Sequence, residues 1–375
     1  KGEIGHAFAV GVSTVTRRLA SIGTKTRRSG PRKVFGDAQA VNATLEGYTP
    51  ERWAVTPESE KGIRVQEILA LLRSIPFPYR ALPTPGEAAE VYCQVVDAEM
   101  HLDCADSIEP NRRMGLALCQ SLFPNRYKAR SEGIKSAYEA WHDDKDLERA
   151  IRFQLKVGDP VVSHRVLRAI TMQCRTPVIF RPTVARFMYQ RYCPPGGTVW
   201  DPCAGYGGRL LGALAAGVQY IGTDVDPETV TGNQKLAKIL GREATVVLSP
   251  AEVFSPPPVD MVFTSPPYFA RERYSDEPGQ SSNRLGSFEE WVGEFLTPLV
   301  ERAWGALQKR SVFAINVANV RHSGERISLV DTVQKVALGV GFEETERLWM
   351  PLAKLNRQDP KEPVLIFRKP GPPSP

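Results

Sequence analysis

The chain has 375 residues, 42% of them hydrophobic and 24% charged, a composition of globular type with length for two or three domains. No apolar run approaches the roughly 20 residues of a membrane span, and the start lacks a charged-then-apolar signal pattern, so neither a spanning nor a secreted protein is indicated and a cytoplasmic location is expected. The net charge of +6 is uneven: residues 1–33 carry a net +7 and the remainder is close to neutral, which points to a polyanion partner at that end.

The chain opens on Lys1 rather than Met, so a natural beginning upstream is expected. In the first stretch Ile4, Phe8, Val15 and Leu19 stand where two short crossing helices need apolar contacts, with Gly5 and Ala9 at close-packed positions and a turn near Val10-Gly11. With the trailing Ile22-Gly23 and the arm from Arg27 to Lys33, this resembles the helix-turn-helix of resolvases and transposon-type proteins. The resemblance implies a groove-facing helix carrying Ser13, Thr14, Thr16, Arg17 and Arg18, with Arg27 and Arg28 on phosphates or in the minor groove. An amphipathic helical hairpin with a solvated face is the competing reading.

Residues 34–60 read as a linker, because Gly36, Gly47, Pro50 and Pro57 interrupt any periodicity. Residues 61–168 read as mainly helical: Ile63, Ile68, Leu69, Leu71 and Leu72 mark one helix, and Ala88, Val91, Tyr92, Val95 and Val96 another after the break at Pro83-Thr84-Pro85-Gly86. Met114, Leu116, Leu118 and Leu122 mark a third, and the stretch with Tyr138, Trp141 and Leu147 two more. By elimination this region serves target recognition or dimerisation. His142 beside Asp143 and Asp144, and His101 near Asp103 and Asp106, lack further ligands at metal spacing, and no metal is expected. The six cysteines form no CxxC pair, which leaves free thiols.

From 169 to 369 strands and helices alternate. Strands are predicted over 198–200, 219–223, 245–248, 261–264, 312–317, 343–349 and 364–367, and helices over 209–216, 227–240, 288–308 and 329–340, after a helix with Val184, Phe187, Met188 and Tyr192. Such alternation makes an α/β fold: a doubly wound, mostly parallel seven-stranded sheet of Rossmann-like type with its ligands at the carboxyl ends of the strands. Residues 370–375 read as a disordered tail.

Two motifs fall on those strand ends. Asp201-Pro202-Cys203-Ala204-Gly205-Tyr206-Gly207 follows the first strand and opens a helix, and Asp224 ends the second strand nineteen residues beyond Gly205, near the spacing of a ribose-binding acid. Thr264-Ser265-Pro266-Pro267-Tyr268-Phe269 leaves the fourth strand as a loop whose prolines restrict its backbone. In this order the motifs resemble those of amino-group DNA methyltransferases that use S-adenosylmethionine, over about residues 180–367. The resemblance implies cofactor contacts from Phe180, Arg181, Pro182 and Thr183, from Asp201, Cys203, Ala204, Gly205 and Gly207, and from Asp224, Val225 and Ser249. It also implies a base-binding loop of Ser265, Pro266, Pro267 and Tyr268. One departure is visible: Ser249-Pro250-Ala251 stands where the family has an acid beside the adenine, and Glu252 is no clear replacement.

The implied activity is direct methyl transfer to the exocyclic amine of a flipped base. Serine at 265 favours N4 of cytosine over N6 of adenine, and restriction-modification is the implied setting, in a prokaryote or phage. Double-stranded DNA is the expected partner, with Arg271 and Arg273 poised for phosphates and Asn316 and Asn319 near the base. A homodimer and a partner nuclease stay open. An RNA base methyltransferase and an inactive DNA-binding relative are the other readings. Cys203 is read as packing, since the Pro-Cys nucleophile of C5-methylating enzymes is missing from the base-side loop.

Overall fold

Seven strands form the central sheet: β1 (Thr198–Asp201), β2 (Gln219–Asp224), β3 (Thr245–Leu248), β4 (Val259–Thr264), β5 (Leu307–Asn316), β6 (Glu343–Pro351) and β7 (Lys361–Arg368), in the order β6-β7-β5-β4-β1-β2-β3. They belong to a computed structural model that describes residues 36–371 apart from 111, 132, 270–271 and 353–359. The basic segment 1–33, with Ser13, Thr14, Thr16, Arg17, Arg18, Arg27 and Arg28, lies outside the described residues, as do Arg271 and residues 372–375.

Strands β1 to β5 run parallel, while β7 is antiparallel to both β5 and β6. This is the doubly wound, mostly parallel sheet expected from the alternation of elements, and each of the seven predicted strands is one of its strands. The chain leaves β1 toward β2 and β3 on one side and reaches β4 and β5 on the other. The loops after β1 and β4 therefore diverge, and a crevice opens between them at the carboxyl edge.

Side chains alternate between the two faces as the pleat requires. Val199, Met261, Phe263, Val312, Ala314, Val364 and Ile366 point into one core, against Met188, Tyr189, Leu210 and Leu211. Trp200, Val262, Phe313, Ile315, Leu365 and Phe367 point into the other, against Phe295, Leu299, Val300, Leu329 and Val333. The predicted helix over 288–308 is three segments: α-helix Phe288–Trp291, a π-helical turn Val292–Leu296, and α-helix Thr297–Ala306. Pro298 has no N–H to offer the regular ladder, and the wider turn before it accommodates that loss. The chain from Leu307 is already strand β5.

The stretch expected as linker is largely helical, with helices at Gly36–Leu45, Pro50–Val55 and Glu58–Arg73. Pro50 and Pro57 stand at helix starts, where a missing N–H costs nothing, so they punctuate helices rather than prevent them. The Pro83-to-Gly86 break is likewise a start: Thr84 and Glu87 form a capping box for helix Pro85–Val96. A helix at Ser163–Gln173 runs across the 168/169 border.

The region 61–168 divides between two bodies. Val65, Ile68 and Leu72 join Leu45, Trp141, Leu147, Ile151, Val166 and Ile170 in a helical core of their own. Ala88, Val95, Leu118, Leu122 and Phe123 instead pack into the core under the sheet. Tyr92 donates to the Leu214 carbonyl at 2.9 Å, and Asn125 donates to Asp226 at 3.1 Å and Thr229 at 2.8 Å. Residues 85–127 thus brace the sheet domain. Among the described residues no helix is long and apolar enough to cross a membrane.

Candidate active site

The crevice at the carboxyl edge is the mouth of a large cleft of about 2110 Å³ between the sheet and the helical body. Its sheet side is lined by the three predicted stretches: Phe180 and Arg181; Cys203, Ala204, Gly205, Asp224, Val225 and Ser249; and Ser265 to Tyr268. Pro182, Thr183, Asp201, Gly207 and Arg273 do not line it.

Asp201 lies behind the wall, 1% exposed, where its carboxylate accepts from Arg209 Nε at 2.8 Å, Tyr220 Oη at 2.7 Å and the Cys203 amide at 3.3 Å. Arg209 also donates to the Cys203 carbonyl. The sequence-based expectation of a direct cofactor contact therefore needs correction: the acid tethers the turn of the glycine loop from within. Thr183 is fully buried.

Two glycines let the loop and its helix close against their neighbours. Gly207 has φ +76°, and a Cβ there would lie 2.7 Å from the Phe123 ring. A Cβ at Gly208 would lie 1.9 Å from the Phe180 carbonyl oxygen. The Phe180-Arg181 segment is thereby pressed onto the start of helix Gly208–Ala216 and leads into the cleft beside the loop. Gly205 offers its N–H to Asp224 at 2.9 Å, joining the ends of β1 and β2.

Asp224 also accepts from the Asp226 amide at 3.1 Å. Burial nevertheless raises its carboxyl to about 6, because loss of hydration outweighs the two backbone donors, and the charges of Asp226 and Asp201 add to the rise. The Cys203 thiol is pushed well above its ordinary value by burial, then by the nearby Asp201 and Asp224 carboxylates, which keeps it protonated and consistent with a packing role. Ser249 donates its N–H to the Asp224 carbonyl at 3.0 Å. Glu252 reaches the cleft but is ion-paired with Arg284.

On the other side of the crevice, Ser265 Oγ donates to Asn316 Oδ1 at 3.4 Å, and Asn316 Nδ2 donates to the Pro363 carbonyl at 3.0 Å. The second bond orients the Asn316 amide so that its oxygen faces Ser265. With its proton directed at Asn316, the Ser265 hydroxyl presents lone pairs to the cleft. Asn319 instead accepts from the Val330 amide at 3.0 Å, outside the cleft lining, in a capping role for helix Leu329–Val340. Arg273 sits on a surface strand paired with Arg130–Ser131 and forms an ion pair with Asp276 at 3.0 Å.

Tyr206 and Tyr274, whose rings lie 6.1 Å apart, add aromatic surface to the cleft. The buried Tyr206 hydroxyl has no hydrogen-bond partner among the described residues. Its place between two loop glycines was the available sequence signal. Arg113, Arg126, Arg168 and Arg175 also line the cleft, and nothing in the local sequence distinguished them. No group of three metal-ligating side chains occurs among the described residues. Asp143, beside His142, caps helix Asp144–Val157 and pairs with Lys135 at 2.7 Å.

No protein-family model matches the chain, and no curated protein matches it. Among solved structures, it is similar to TrmN from Thermus thermophilus at 16% identity and a TM-score of 0.37, over 56% of this chain and 68% of that one. A methyltransferase from Pyrococcus furiosus is similar at 16% identity and a TM-score of 0.37, over 52% and 85%. A third similar structure, a putative RNA methyltransferase from Pyrococcus horikoshii, has 19% identity and a TM-score of 0.36, over 50% and 84%.

Proposed function

We propose that the protein is an S-adenosylmethionine-dependent methyltransferase that acts on the exocyclic amine of a base in DNA, with N4 of cytosine as the target. The observation that carries this reading is the convergence of the glycine loop, Asp224 and the Ser265–Tyr268 loop on one cleft at the sheet's carboxyl edge. The sheet side can accommodate two ligands, one on each side of the switch between β1 and β4.

The donor set fits the cofactor. Asp224 offers carboxylate oxygens for ribose hydroxyls, Val225 an apolar surface beside it, and Asp226 and Glu272 further carboxylates that suit a cationic ligand. Phe180, Ala204, Gly205 and Ser249 would complete the contacts. When bound, the cofactor supplies an electrophilic methyl on a positive sulfur that leaves as a neutral thioether.

The chain's residues then position the amine. The Ser265 oxygen accepts one amine hydrogen, because its own proton is committed to Asn316. The nitrogen lone pair forms the new bond to carbon, and the nitrogen releases a proton to solvent. Tyr268 provides a ring for stacking a flipped base. Positioning and a preformed polar surround supply the rate, with no covalent intermediate on the protein.

Transfer of labelled methyl to duplex DNA, single-stranded DNA and RNA, followed by nucleoside analysis, tests the reading. N4-methylcytosine from DNA is expected. N6-methyladenine from DNA would correct the base, methylation confined to RNA would correct the polymer, and cofactor binding without transfer to either would sink the reading. Ser265→Ala is expected to lower transfer by about a hundredfold or more, as removal of a group that acts in the transition state does, with cofactor affinity nearly unchanged. Deletion of residues 1–33 is expected to weaken DNA binding and flatten its salt dependence, since that segment holds the chain's excess positive charge.

A further inference from the structure

Charge is unevenly distributed over the cleft, with an excess of one sign on its helical wall. The helical wall carries Arg80, Arg165, Arg168 and Arg175 against Glu46, with Arg165 3.9 Å from Asp159. The sheet-side wall carries Asp224, Asp226, Glu252, Glu272 and Glu362 against Arg113, Arg126, Arg181 and Arg209, with Arg209 committed to the buried Asp201 and Glu252 to Arg284. The carboxylates a cationic ligand could use, Asp224, Asp226 and Glu272, lie on the second wall. The first wall calls for an anion, and its extent calls for one longer than a nucleoside.

Helix Ser163–Gln173 supplies the middle of that wall. Val166, Leu167, Ala169 and Ile170 are buried in the helical core, while His164, Arg168, Thr171 and Met172 line the cleft at turn spacing and Arg175 extends the row. Among the described residues no carboxylate forms an ion pair with Arg168 or Arg175. On the neighbouring helix Asp144–Val157 the surface arginines are neutralised: Arg149 pairs with Asp146 and Arg152 with Glu148, each at 2.8 Å. The row is therefore unlike an ordinary solvated helix face, where opposite charges are interspersed. In sequence it is more than 100 residues from the basic segment 1–33.

We infer that the row centred on Arg168 and Arg175, flanked by Arg80, is the seat for the phosphate backbone of the nucleic-acid substrate, across the cleft from the wall proposed for the cofactor. The assignment rests on the methyltransferase reading for its substrate class. Cation and polyanion then approach the Ser265 loop from opposite walls.

The full chain with Arg168→Glu and Arg175→Glu together, and separately with both changed to Gln, would be titrated against a fluorescent 20-base-pair DNA duplex and against single-stranded RNA of the same sequence. S-adenosylhomocysteine binding would be measured by calorimetry. Charge reversal is expected to weaken polymer binding by about tenfold or more and to lower the salt slope by about 2, roughly 0.9 per lost phosphate contact. The Gln pair should give a smaller loss, with S-adenosylhomocysteine affinity and thermal midpoint unchanged in both variants. Polymer binding within twofold of the parent in the Glu pair would overturn the seat. If the parent binds S-adenosylhomocysteine but neither polymer, the seat is overturned and the cofactor reading stands. If it binds polymer through these arginines but not S-adenosylhomocysteine, the seat stands and the methyltransferase reading falls.

Discussion

Asp224 takes hydrogen bonds from two backbone amides and still has its carboxyl raised to about 6, because burial at the end of β2 removes more hydration than those bonds replace. Relative to an ordinary value near 3.8, the folded state holds a proton that the unfolded chain has lost between about pH 4 and 6. The group's contribution to stability is therefore present below about pH 4 and is lost as pH rises through about 6. On the proposed function ligand binding has the opposite sign, since ribose hydroxyls would need the ionised acceptor. Cofactor affinity is expected to fall about fourfold between pH 7.5 and 5.5, measured by calorimetry, and Asp224→Asn should abolish that pH dependence. At Asp201 the expected outcome concerns folding. Arg209→Met leaves a carboxylate that is 1% exposed with Tyr220 and one amide as partners, and should cost about 3–5 kcal/mol in denaturant unfolding. Both acids were legible in the sequence as strand-end residues of the sheet. Their different roles were not, because Arg209 and Tyr220 reach Asp201 only when the helix and β2 fold around it.

At the scale of elements, close contact decides where the loops stand. Gly208→Ala would place a methyl 1.9 Å from the Phe180 carbonyl, so the segment before Pro182 must move away from the loop. A loss of roughly 3 kcal/mol is expected from such overpacking, seen as a lower thermal midpoint, together with weaker cofactor binding. Phe123 works from below: its ring fills the space that a Cβ at Gly207 or Gly232 would enter, and it meets Tyr206 edge-on at 5.9 Å. Phe123→Ala is expected to destabilise by about 3–5 kcal/mol and to loosen the glycine loop, raising the cofactor's Kd. A stability loss with unchanged Kd would limit Phe123 to packing. The strands were legible because their β-branched and aromatic runs alternate with helical patterns. The helices in 36–60 were obscured because Pro50 and Pro57 read as breakers until their helix-start positions are known. The π-helical turn before Pro298 had no periodic signature of its own.

Over the whole molecule, a helical body with its own core faces a sheet domain braced by residues 85–127, and the cleft lies where they meet. Trp141, 1% exposed in that helical core, tests how far the bodies are coupled. Trp141→Ala should cost about 3–5 kcal/mol and should impair polymer binding more than cofactor binding, as judged by parallel titrations with duplex DNA and S-adenosylhomocysteine. Sequence by itself determined the seven strands, the doubly wound class and the standing of the glycine, Asp224 and Ser-Pro-Pro-Tyr stretches at strand ends. Each of these is written in local periodicity or in consecutive residues. Tertiary structure alone decided that Asp201 faces inward, that Asn316 orients the Ser265 hydroxyl, and that arginines far apart in the chain share a wall. Those outcomes depend on which strands become neighbours and which helix faces are buried, quantities set by packing between segments and carried by no single stretch of sequence.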